Sequence, residues 1–123
     1  MNSYKELIVW QKAMALAEAT YRWASSLPKH ELYGLTSQLQ RSAVSVPANI
    51  AEGHGRGSTK EYLRFLSVAR GSLSELETEF LLATRIGYGD TSAATTIAKQ
   101  IEEVSRLLRG LQKALRQKLD RQE

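Results

Sequence analysis

The stretch Gly53–Lys60, "GHGRGSTK", gathers three glycines, a histidine, two basic side chains and two hydroxyls. These residue types suit an anion: glycines let a phosphate approach the backbone, and Arg56 and Lys60 supply charge. A helix opening at Ser58 or Thr59 would add free backbone donors and the positive end of its dipole. The glycine spacing is not that of a Walker loop, and no strand precedes it. The same residues also serve as a plain helix–helix hairpin, with Gly53 as a left-handed helix end and Ser58 as the next cap.

Other chemistries find little support. The chain has two histidines, His30 and His54, and no cysteine, so disulfides and thiolate metal sites are excluded. Glu75 and Glu79 lie one helical turn apart, but with Glu77 they read as a solvated acidic face rather than a carboxylate-bridged metal pair. His54 reads as a loop residue, or as a phosphate contact if the corner binds. No nucleophile–base constellation emerges. The expectation is a protein that is not an enzyme and holds no metal or cofactor.

Positioning elements follow from apolar spacing. Leu7, Trp10, Met14, Ala17, Tyr21 and Ala24 recur at threes and fours, the stripe of an amphipathic helix. Ser3 and Glu6 fit a capping box at its start, and Pro28 ends it. After "KHELYG" a second run holds Leu39, Ala43, Val46 and Ile50. A third, opened by Ser58 and Glu61, carries Tyr62, Leu66, Ala69, Leu73, Leu76, Phe80 and Ala83 to "GYGD". A fourth holds Ile97, Ile101, Val104, Leu108, Leu111 and Leu115. Strand patterns are missing. The prediction is an all-α, antiparallel up-down-up-down four-helix bundle, one domain over residues 1–123, with helix two kinked near Pro47.

Within that frame Asn49 is expected to satisfy carbonyls freed by Pro47, and Glu52 to pair with Arg41, Arg56 or Arg70. Gly71, inside helix three, is expected to admit the small-residue face of helix two. Helix one carries a second apolar strip (Val9, Ala13, Leu16, Trp23, Leu27), more than one buried face requires. Val9, Leu16 and Trp23 are therefore assigned to contact with another copy of the chain.

Of 123 residues, 17 are basic and 13 acidic, giving a net charge of +4. Residues 91–123 hold seven basic and four acidic side chains, against three and five in residues 61–90. Arg106, Arg109, Lys113 and Arg116 fall within about 80° of a helical wheel, opposite Leu108, Leu111 and Leu115. This stripe either keeps the bundle soluble and complements the helix dipole, or binds RNA or DNA through phosphates. No apolar run is long enough for a membrane span, and the first twenty residues lack a signal-peptide core; cytoplasmic residence is the expectation.

The segment "YGLTSQLQRSAVSVPANIAEGHGRGSTKEYLRFLSVARGSLSELETE", with "VWQKAMALA" upstream, resembles the four-helix-bundle family of bacterial 23S rRNA intervening-sequence proteins. Pro47, Asn49, Glu52, Gly53 and Arg70 match that family's pattern. Members are also similar to the accessory variability proteins of diversity-generating retroelements, barrel-shaped homopentamers that bind a reverse transcriptase and nucleic acid. The resemblance implies a homopentamer with a nucleic-acid or reverse-transcriptase partner, and implies no enzymatic activity. A protein-binding scaffold without a nucleic-acid role is the alternative. The basic pattern of the C-terminal helix is this chain's own.

Overall fold

The computed structural model describes residues 3–122. Four helices carry the fold: α1 (Ile8–Ser25), α2 (Leu35–His54), α3 (Thr59–Ile86) and α4 (Thr91–Gln122). Two short 3-10 turns, Tyr4–Glu6 and Lys29–Glu31, precede α1 and α2, and no strand occurs among the described residues. α2 packs on α1 and α3, and α4 packs on both α3 and α1, closing a ring of four.

Contacts along the seams fix the directions. Ser45 meets Ser72 (Oγ–Oγ 2.8 Å), whereas Gly53 lies against Tyr62 and Phe65, so α2 and α3 are antiparallel. Trp23 Nε1 donates to the Asp90 carbonyl at 3.2 Å, while Lys12 reaches Glu103 at 3.8 Å further along, so α1 and α4 also run oppositely. Leu16, Leu39, Ile50, Leu66, Leu76, Ile97 and Leu108 fill the centre without solvent exposure. Trp23 and Phe80 meet beside them as a tilted ring pair, 5.1 Å between centres.

The ends of the elements follow local chemistry. Ser58 accepts the Glu61 amide at 3.1 Å and starts α3. Gly87, at φ 94°, takes the left-handed position that stops it. Ser3 caps only the first 3-10 turn, accepting from the Lys5 amide, so α1 itself begins at Ile8 behind Leu7, without a side-chain cap. Pro47 lies buried inside α2, which stays helical on both sides of it. Asn49 donates to the Ser45 carbonyl (2.8 Å) and hydroxyl (3.0 Å). The carbonyl that a proline at 47 leaves without its helical donor belongs to Ala43, so Asn49 instead braces the carbonyl two residues further on.

Three sequence-based assignments change. Val9, Leu16 and Trp23 are 6%, 1% and 4% exposed within one chain, so they form the core and cannot meet another copy. What stays outside belongs to the other strip: Met14 and Tyr21 are about half exposed, while Ala17 and Ala24 of that strip are buried. Gly53 is not a left-handed helix end, because α2 continues to His54 and Gly55 follows in right-handed geometry. It is the point of close approach, where a methyl group would come within 2.7 Å of Phe65 Cβ and 3.2 Å of the Tyr62 carbonyl. Gly71 admits nothing: it is exposed, with no atom within 4 Å of where a Cβ would stand.

Candidate nucleic-acid interface

Antiparallel order brings the start of α1, the α2–α3 hairpin, the start of α3 and the last turns of α4 to one end of the bundle. The level of this end is marked by Gln112 of α4, which accepts from Arg70 (3.1 Å) and donates to Ser67 (3.3 Å) on α3. Residues 3–10, 45–72 and 108–122 make up that end and hold ten basic and four acidic side chains. Residues 11–44 and 73–107 make up the other and hold seven basic and eight acidic ones. The bundle is thus electrically polar along its length.

The two basic groups singled out in the sequence share this end. Lys60, Arg109, Lys113 and Arg116 are exposed, as are Lys118 and Arg121, and none of the six has an ion-pair partner among the described residues. Arg106 is exposed too, but stands on the balanced side of the line. Arg109 borders a polar cleft of about 360 Å³ between α3 and α4, shared with Arg70, Glu77 and Glu102, so that part of the stripe is electrically mixed. Lys113 and Arg116 lie beyond it, nearer the hairpin.

Arg56 is less free. It pairs with Glu52 at 3.1 Å and lies 4.7 Å from the centre of the Phe65 ring. Arg64, not anticipated from sequence, bonds Glu61 through two nitrogens at 3.1 Å each and lies 4.5 Å from the same ring. The hydrogen bond from Arg64 holds the Glu61 carboxyl below the usual carboxylate range, and the arginine is raised in return. His54 packs edge-on against Tyr62 at 5.8 Å, a packing role rather than a base poised beside a nucleophile. Among the described residues no cluster of histidine and carboxylate side chains could hold a metal.

Sequence reasoning also missed Gln112, which is 1% exposed. Its signal was legible: a polar residue one turn after Leu108, beside Leu111 and ahead of Leu115, stands where the apolar face should continue. A buried amide needs partners, and Arg70 and Ser67 supply them.

The fold and the site together define a small four-helix bundle with one strongly basic end. The chain belongs to the 23S rRNA-intervening sequence protein family, whose pattern matches residues 5–110. Among solved structures it is similar to a protein of unknown function from the S23 ribosomal protein family of Bacteroides thetaiotaomicron VPI-5482. That similarity has a TM-score of 0.77 and 23% identity over 86% of this chain and 99% of the other, a likeness of fold. No curated protein matches the chain.

Proposed function

We propose that this protein is a non-enzymatic module that binds RNA or duplex DNA through the phosphate backbone, using the basic end of its bundle. The observation that carries this reading is the placement of Lys60 from the start of α3 at the same end of the bundle as Arg109, Lys113 and Arg116 from α4, all exposed and without an ion-pair partner among the described residues. Cations on rigid helices meet phosphates without reading bases, so binding is sequence-tolerant and salt-sensitive.

Charge reversal tests the location. Arg109→Glu with Lys113→Glu is expected to lower affinity for a structured RNA by about tenfold or more and to flatten its salt dependence. Arg85→Glu with Lys99→Glu, at the balanced end, is the control and leaves binding within about twofold. Equal effects from the two pairs would show general electrostatics and remove the assignment to this end; circular dichroism checks that both variants stay folded.

A second reading concerns self-association, and a specific surface favours it. An apolar groove of about 800 Å³ runs between α1 and α2, bordered by Met14, Tyr21, Val44 and Pro47. In this reading copies of the chain meet there, five of them if the resemblance to accessory variability proteins holds for assembly. Repeating the basic end in an oligomer would multiply weak phosphate contacts. Light scattering should give the mass of a pentamer at micromolar concentration, and Met14→Glu with Tyr21→Glu should reduce it to that of a monomer without loss of helix content. A monomeric wild-type protein contradicts the reading.

A further inference from the structure

We propose that Phe65 is a positioning residue, its ring holding the guanidinium groups of Arg56 and Arg64 so that both present their free edges to one polyanion; the inference rests on the nucleic-acid reading above. The ring is placed by the close approach of α2 and α3, since Phe65 Cβ lies where Gly53 leaves space. Arg56 comes from the hairpin and Arg64 from α3, with guanidinium carbons 4.7 and 4.5 Å from the ring centre. Both guanidinium groups therefore lie over the same ring.

A guanidinium that stacks through its face keeps its N–H donors in the outward plane. Glu61 takes Nε and Nη2 of Arg64 and leaves Nη1 without a partner among the described residues. Glu52 takes Nη2 of Arg56 and leaves the rest of that fork open. Glu52 is exposed and Glu61 partly so, and ion pairs open to solvent are weak, so they orient the arginines without consuming their charge. Held between ring and carboxylate, each arginine has fewer rotamers to lose when a phosphate binds, and such preorganisation raises affinity without new contacts.

A purely protective role, two arginines shielding a surface ring from water, predicts no effect on binding when the ring is removed and all charges stay. Phe65→Leu makes that change. It is expected to weaken binding of a structured RNA by about threefold to tenfold and to shift the Arg56 and Arg64 Hε resonances out of the ring current, while Phe65→Tyr restores both. If Phe65→Leu proves unfolded, Arg56→Lys with Arg64→Lys keeps the charge, removes the planar stack and carries the same expected loss. Wild-type protein that binds RNA while the folded variants bind it equally well overturns the role of Phe65 and leaves the basic end standing. Wild-type protein that binds no RNA overturns both.

Discussion

Leu16→Ala is expected to cost about 2–5 kcal/mol of stability, the range for a large buried aliphatic side chain cut to a methyl group. Leu16 is 1% exposed and lies in one core cluster with Leu39, Leu66, Leu76 and Ile97. Met14→Ala, two residues earlier on the far side of the helix, should change the stability of the isolated chain by about 0.5–1 kcal/mol at most, because Met14 is 45% exposed. Urea denaturation of the two variants measures the contrast. Similar losses would mean that the two strips of α1 are not divided as the structure divides them.

That division was the part of the fold least legible in the sequence. Both strips of the first helix repeat at threes and fours, and periodicity marks a face without saying which neighbour covers it. The buried strip also carries Thr20, fully enclosed, which weakened its apolar appearance. The other strip shows Trp10, Met14 and Tyr21, larger and more conspicuous. The direction of burial depended on the crossing of α1 with α2 and α4, which no local pattern encodes.

The second large effect concerns glycine. Gly53→Ala places a methyl group 2.7 Å from Phe65 Cβ and 3.2 Å from a backbone carbonyl, and neither can swing aside as the tip of a long side chain would. α2 and α3 must part, at a cost of about 1–3 kcal/mol or more. Gly71→Ala should do the reverse. It lies in the interior of α3 with open space around it, so the added methyl group should stabilise the helix by about 1 kcal/mol. Opposite signs in thermal denaturation are the expected result; a neutral Gly53→Ala would contradict the close packing of α2 on α3.

Both glycines sit in helices, and their sequence surroundings do not distinguish a contact from a vacancy. The helices themselves were easier. The Ser58 cap, the glycine stop after Ile86 and the long apolar periods of α3 and α4 each express a local rule, and each appears where its residues put it. Leu111 and Leu115 are only partly buried, as expected where α4 nears the end of its packing surface. The candidate site was legible in pieces. Lys60 and the cations of α4 stood out as separate basic groups, but only antiparallel topology could bring the hairpin and the end of α4 together. Phe65, next in sequence to Arg64, gave no sign that Arg56 would also lie over its ring.

The central claim is that the basic end binds the phosphate backbone, and its most direct test is a salt titration of wild-type protein against a structured RNA. Binding is expected at about 50 mM salt, with affinity falling about a hundredfold to a thousandfold by about 200 mM if four to six cations engage phosphates. No retention of RNA or duplex DNA at about 50 mM salt would contradict the account and leave the bundle as a protein scaffold.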